Sequence, residues 1–134
     1  MVQALDPRDT IEIVLKDDAE LPEEEQTVWL FKPLTLAAET AIADEASDLE
    51  GNKIRVKNGS VELWTLRAGL IGVRNWKDSA GNPVELEMVP GTGFLGGKKM
   101  VSDRSLGRIS LRHRHELVDS FQNRNRLTED DAEK

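Results

Sequence analysis

The sequence predicts an α+β fold, in which a small N-terminal antiparallel β element packs on about three helices. Apolar and polar residues alternate near the N terminus, as in half-buried strands, whereas later apolar residues recur every three or four positions, as in helices. We expect one domain over residues 1–127, with the β element at about 10–32, a mostly helical part at about 35–126, and a polar tail at 128–134. Aromatic residues make up only 4% of the chain, so the core should be aliphatic and thin.

The β element is predicted from two short segments, and in the first of them Ile11, Ile13 and Leu15 alternate with polar residues. Thr10–Lys16 and Gln26–Lys32 each read as a strand, and Pro33 ends the second. The acidic segment Asp17–Glu25 lies between them and is long enough to connect an antiparallel pair. Its many carboxylates predict an exposed, charged loop.

The first helix is expected to run from Leu36 to about Asp48. The hydroxyl of Thr35 can cap its first turn, and its alanine-rich composition favours helix. Gly51 is the expected stop. A short strand is expected at Lys53–Lys57.

The second helix is expected from Val61 to about Arg74, after a turn at Asn58-Gly59 and a cap at Ser60. Helical spacing gives it one broad apolar face, which contains Leu63, Trp64, Leu66, Leu70, Ile71 and Val73. Arg67 and Arg74 fall on the same face. Their stems can lie along the core edge with the charged groups in water, or the guanidinium groups can clasp carboxylates of a partner.

A turn and an extended segment should follow the second helix. The turn is built from Trp76, Asp78, Gly81 and Asn82, because Asp can bond to its own downstream backbone and Gly accepts positive φ. Alternation from Val84 to Met88 predicts a short strand ending at Pro90.

The last helix is expected to begin at Leu111 and to end near Asn125. Its narrow apolar stripe contains Leu117, Val118 and Phe121, which favours burial in the core.

No set of side chains with recognisable catalytic or metal-binding spacing occurs. Cysteine is absent, which is compatible with a reducing compartment, and His113 and His115 would lie about 160° apart on a helix. The spacing of Gly91, Gly93 and Gly96 matches the G-x-G-x-x-G dinucleotide fingerprint. That fingerprint requires a strand that runs into it and a helix after it, whereas here a proline precedes the glycines and no helix pattern follows, so we expect a flexible loop. We therefore assign no catalytic, cofactor-binding or metal-binding residue.

The charge distribution bears on possible partners. The net charge is −7. Residues 1–67 hold 15 acidic and 7 basic residues, whereas residues 68–134 hold 10 acidic and 11 basic residues. A sequence pI near 4.9 disfavours binding to nucleic acid. The lack of a signal peptide or a long apolar run predicts a soluble protein without membrane contact.

Three segments together carry a family resemblance: TVWLFKPLT before the alanine-rich helix, LWTLRAGLIGVRNWKDSAGNPVELE, and the C-terminal HELVDSFQNRNRLTEDDAEK. The second resembles L-x-x-G-L-x-G-W-x-N-x-x-D-x-x-G-N-P-V and the third E-L-x-x-x-I-x-x-x-N-x-L-T-x-x-D. Both are patterns of the tail assembly chaperones of long-tailed bacteriophages and prophages. The sequence departs from them at Val73, where Trp is frequent, and in its glycine-rich segment 91–97.

The resemblance implies a non-enzymatic protein that binds the tape measure protein and recruits major tail (tube) protein subunits during viral morphogenesis. It implies a largely helical homo-oligomer, often made in short and frameshift-extended forms, that acts in the bacterial host cytoplasm and is absent from the mature virion. The residues expected to bind partners are Leu63, Trp64, Arg67, Leu70, Ile71, Arg74 and Trp76.

Two other interpretations remain open. A structural virion component, such as a head-tail connector or a tail completion protein, would share the phage origin and small size. A small nucleotide-dependent enzyme would use the glycine-rich segment.

Overall fold

The computed structural model of the chain describes residues 10–50, 53–56 and 58–133. Within this part, strands and helices are mixed and every strand pairing is antiparallel, which confirms the α+β class. The elements are β1 (Ile11–Ile13), β2 (Val28–Phe31), α1 (Leu36–Ala46), β3 (Ser47–Glu50), β4 (Lys53–Val56), α2 (Asn58–Gly69), β5 (Leu70–Arg74), β6 (Met88–Pro90), β7 (Lys99–Val101), α3 (Asp103–Leu106) and α4 (Leu111–Glu133).

The predicted N-terminal β element is present, and it has a third strand. β1 and β2 pair antiparallel, with Ile13 opposite Trp29, and β5 pairs along the other edge of β2. Between β1 and β2 the acidic loop forms two short 3-10 turns. The apolar face of the sheet packs on α4, where Phe31 stacks on Phe121 with ring centroids 4.6 Å apart.

The predicted helix from Val61 to Arg74 was wrong at both ends. Helix α2 begins at Asn58, so Ser60 lies inside its first turn, and it ends at Gly69, after which the chain enters strand β5. A Cβ atom at Gly69 would lie 3.0 Å from Phe121 and 3.2 Å from Phe31. The chain therefore passes tightly against two aromatic rings here, and pairing with β2 prevails over the helical spacing of the next residues.

Helix α1 begins as predicted. The hydroxyl of Thr35 accepts a hydrogen bond from the N–H of Ala38 at 3.1 Å, which satisfies one donor of the first turn. The helix ends at Ala46 rather than Asp48, because the chain turns directly into the antiparallel pair β3–β4. Strand β4 lies at the predicted position, whereas the predicted stop at Gly51 falls outside the described residues.

Helix α4 begins at Leu111 as predicted but continues to Glu133, so the prediction of an end near Asn125 was wrong. No Gly or Pro occurs between Leu111 and Glu133 to stop the helix. The predicted apolar stripe is buried: Leu117 and Phe121 are fully inaccessible and Val118 nearly so.

The turn after β5 has the predicted chemistry. The side chain of Asp78 accepts hydrogen bonds from the backbone N–H groups of Ala80 and Asn82, and Gly81 has a φ of 83°. The bond from Asn82, followed by that from Ala80, lowers the pKa of Asp78. The next strand is shorter than predicted, because only Met88–Pro90 pairs with β7.

Candidate partner-binding surface

The glycine-rich segment forms the turn of a hairpin between β6 and β7. The N–H of Gly91 donates a hydrogen bond to the carbonyl oxygen of Lys98 at 2.7 Å, and a Cβ atom at Gly91 would overlap the carbonyl oxygen of Leu95. Gly93 adopts a φ of 58°. The conformation of the loop itself thus accounts for these glycines, and no helix opens from them as the dinucleotide fingerprint requires.

The hairpin turn presents two apolar side chains to the rest of the molecule. Leu95 is buried in the core, whereas Phe94 is half-buried and packs on Trp64 of α2, with ring centroids 5.1 Å apart. A short 3-10 turn over Gly93–Leu95 holds both residues at the tip of the loop.

An open groove of about 470 Å³ runs between this loop and α1, and we call it the α1 groove. Beside Phe94, a second depression continues it toward the C-terminal end of α1. The apolar residues that line the groove are Pro33, Leu34, Ala37, Ala38, Ala41, Ala68, Phe94 and Leu95. The charged residues of the first depression are Lys32, just before α1, and Lys98 of the hairpin, whereas those of the second are Asp44 and Glu45, near the end of α1.

One wall of the α1 groove is made of alanines. Ala37, Ala38 and Ala41 lie on one side of α1 because Ala41 is three and four positions from the other two, the spacings that share a helix face. Methyl side chains allow a second helix to approach within about 8–10 Å of the α1 axis. The α1 groove and the depression that continues it are lined by residues from Thr35 to Ser47, which at 1.5 Å per residue is about 18 Å, or roughly three helical turns.

The charges at the two ends of the α1 groove have opposite signs. Lys32 and Lys98 line the first depression, which we call the lysine end, and Asp44 and Glu45 line the second, which we call the carboxylate end. In the described part of the chain, none of these four side chains forms an ion pair or a side-chain hydrogen bond. Their charges are therefore available to a bound molecule.

The structure does not bring the residues predicted to bind partners onto one face. Leu70 is fully buried, and Leu63 is half-buried against the core. Trp76 packs on Trp29 with ring centroids 5.1 Å apart. These three side chains thus contribute mainly to the packing of the domain.

The two arginines lie on different elements. Arg67 lies over the ring of Trp64, with its guanidinium carbon 4.8 Å from the centroid, and it also pairs with Asp103 at 2.8 Å. Arg74, on β5, pairs with Glu12 of β1 on the face of the sheet opposite the core. Each guanidinium group therefore has an intramolecular carboxylate partner. Of the seven predicted residues, Ile71 keeps an exposed apolar side chain, at 41%.

The sequence interpretation missed the residues that line the α1 groove. The alanine-rich composition of α1 indicates a helix, but it does not reveal that Ala37 and Ala41 also form a smooth wall. A second signal was Phe94, an aromatic residue inside a glycine-rich segment. The groove depends on contact between segments distant in sequence, which local spacing does not reveal.

The two histidines of α4 face different elements, as their spacing predicts. His113 contacts Asp17 of the acidic loop at 2.8 Å, and His115 contacts Glu62 of α2 at 2.9 Å. The hydrogen bond from His113 and the charge of Arg112 lower the pKa of Asp17, whereas the hydrogen bond and charge of Glu62 raise the pKa of His115.

Among residues 10–50, 53–56 and 58–133, no three His, Asp or Glu side chains are grouped so that they could hold a metal ion. Over the same ranges, no helix is both long enough and apolar enough to cross a bilayer. No protein-family model, curated protein or solved structure matches the chain. We therefore assign the α1 groove as the candidate site from its own geometry and charges.

Proposed function

We propose that the chain is a non-enzymatic tail assembly chaperone of a long-tailed bacteriophage or prophage. It holds a segment of the tape measure protein in the α1 groove and recruits tail tube subunits. It acts as a homo-oligomer in the host cytoplasm and leaves before the virion is complete. The observation that carries the proposal is the groove itself, which is apolar along its floor, open, and, together with the depression that continues it, about three helical turns long.

The positions that carry the family resemblance support the proposal through their structural roles. In the C-terminal pattern, the carboxylate of Glu116 accepts a hydrogen bond from the N–H of Lys16, and Asn125 bonds to the start of α1. In the central pattern, Asn75 takes a φ of 59° and its side chain donates to the carbonyl oxygens of Glu24 and Gln26. These residues hold distant segments of the chain together and so help to determine the fold. A sequence pattern shared by a whole family is expected to consist of residues with this role.

The charge of the chain suits a protein that keeps an aggregation-prone partner in solution. A holding chaperone needs an apolar contact surface together with enough net charge to stay dispersed. The groove supplies the apolar contact surface, and the net charge of −7 helps to keep the protein dispersed.

The proposal is tested by co-expressing the chain with a candidate tape measure protein, followed by a pull-down. We expect that partner to be soluble only when the chain is present. Ala37→Arg, which fills the groove, should abolish the rescue. Ala43→Arg is the matched control, because Ala43 is exposed on the same helix but outside the groove.

Equal rescue by both arginine variants would contradict the assignment of the groove, and no rescue by the wild-type chain would contradict the chaperone role. Detection of the chain in purified virus particles would instead favour the structural virion component. A nucleotide that raises the melting temperature would favour the enzyme.

A further inference from the structure

We infer that the α1 groove binds an amphipathic helix of the partner with a fixed charge order. The acidic end of that helix lies at Lys32 and Lys98, and its basic end lies at Asp44 and Glu45. The inference deepens the proposed function, on which it rests, because it names the kind of segment that the groove holds and the direction in which it lies.

The shape of the groove favours a helix as the occupant. The floor formed by Leu34, Leu95 and Phe94 is apolar, and the wall formed by Ala37 and Ala41 has no side chain longer than a methyl group. A helix whose apolar residues recur every three or four positions presents a stripe of matching length over three turns. The methyl wall lets its backbone lie close to α1.

The separation of the charges favours a helix with two differently charged ends. Lys32 precedes α1, and Asp44 and Glu45 lie eight and nine residues beyond its first residue, so about 12 Å of helix separates the lysine end from the carboxylates, which exceeds the screening length of about 8 Å at physiological salt. A uniformly charged helix would be attracted at one end and repelled at the other. A helix that is acidic at one end and basic at the other is attracted at both.

The side-chain charges also determine the direction of the bound chain. Helices commonly carry acidic residues in the first turn and basic residues in the last, so such a helix would lie parallel to α1. The terminal partial charges of a helix are only about half an elementary charge. The full charges of the side chains therefore outweigh the opposing dipoles.

Two synthetic peptides of about 14 residues test the charge order, since this length spans the groove. Both share one composition and one apolar stripe, but one has Glu in its first turn and Lys in its last, and the other has the reverse. Each carries a nitroxide label at its acidic end. In both complexes we expect the label to broaden the amide NMR signals of Lys32 and Lys98 rather than those of Asp44 and Ser47.

Substitutions at the lysine end supply the second measurement. Lys32→Glu combined with Lys98→Glu should weaken the binding of both peptides about tenfold at low salt, because attraction becomes repulsion. Lys99→Glu is the matched control, since Lys99 is exposed beside Lys98 but does not line the groove, and it should leave the affinity unchanged.

Three results would overturn the inference. The first is that neither peptide binds. The second is that the position of the broadened signals depends on the direction of the peptide chain instead of on its charged end. The third is that Lys99→Glu weakens peptide binding as much as the double variant does. Rescue of the tape measure protein in co-expression would still stand in each case. Conversely, peptide binding in the expected order without any rescue would count against the chaperone role alone.

Discussion

The side-chain oxygen of Asn125 accepts a hydrogen bond from the backbone N–H of Leu34, 91 positions earlier in the chain, at 3.1 Å. The nitrogen of the same side chain donates to the carboxylate of Glu39 at 2.7 Å. Leu34 also lines the α1 groove. One buried amide of α4 thus fixes the end of the groove where α1 begins.

Asn125→Leu should lower the free energy of unfolding by about 1–3 kcal/mol, because it leaves the buried N–H of Leu34 without an acceptor. Urea unfolding measures the loss. Gln122→Leu is the control, since Gln122 is exposed on the same helix and its replacement should change stability by less than about 0.5 kcal/mol. Equal losses in the two variants would show that the hydrogen bonds of Asn125 contribute little.

Two glycines of α2 should respond oppositely to alanine. Gly69→Ala should cost about 1–3 kcal/mol, because the added methyl meets the rings of Phe31 and Phe121. Gly59→Ala should instead gain about 0.5–1 kcal/mol, because a methyl there meets no atom within 4 Å and the unfolded chain loses freedom. Thermal unfolding of both variants checks the signs. A stable Gly69→Ala protein would mean that the aromatic rings can move aside.

The two arginines should differ in their contribution to stability. Arg67→Met should cost about 0.5–2 kcal/mol, because the side chain of Arg67 is only 17% exposed and contacts both Trp64 and Asp103. Arg74→Met should cost less than about 0.5 kcal/mol, because Arg74 and its partner Glu12 are both more than half exposed. Urea unfolding compares the two variants, and a larger loss for Arg74→Met would contradict the expectation.

The contact between His115 and Glu62 should make stability depend on pH near neutrality. Glu62, with a smaller contribution from Asp119, raises the pKa of His115 above its ordinary value of 6.5. A group whose pKa is higher in the folded state stabilises that state fully below the unfolded pKa and loses this effect as the pH rises through the folded pKa. Stability from this contact should therefore be complete below about pH 6.5 and should fall above it.

The difference in urea midpoint between the wild type and His115→Gln isolates this effect from other titrating groups. We expect the difference to be largest at acidic pH and to vanish at alkaline pH. A difference that grows as the pH rises would show that neutral His115, rather than its charged form, makes the stabilising contact.

Local chemistry was sufficient to predict the elements whose signals lie within a few residues. The alternation around Ile13 predicted β1, and the segment that ends at Pro33 predicted β2. The Thr35 hydroxyl predicted the start of α1, and Asp78 predicted the turn after β5. In each case, the interactions that form the element join neighbours in sequence or residues on one continuous face.

Strand β5 was not predictable in the same way. Leu70, Ile71 and Val73 continue the helical spacing of α2, so the sequence alone favours a longer helix. Whether these residues form a helix or a strand depends on β2, which pairs with Leu70–Arg74, and on the aromatic rings beside Gly69. The α1 groove was missed for a related reason, because its walls come from α1 and a hairpin far along the chain.

The long reach of α4 has a consequence for synthesis on the ribosome. Its residues bond backward to Leu34, to the N–H of Lys16 and to the carbonyl oxygen of Glu12, all translated much earlier. Until α4 emerges from the exit tunnel, these early segments lack their hydrogen-bonding partners. The hydrogen bonds that join these early segments to α4 can therefore form only after α4 has left the tunnel.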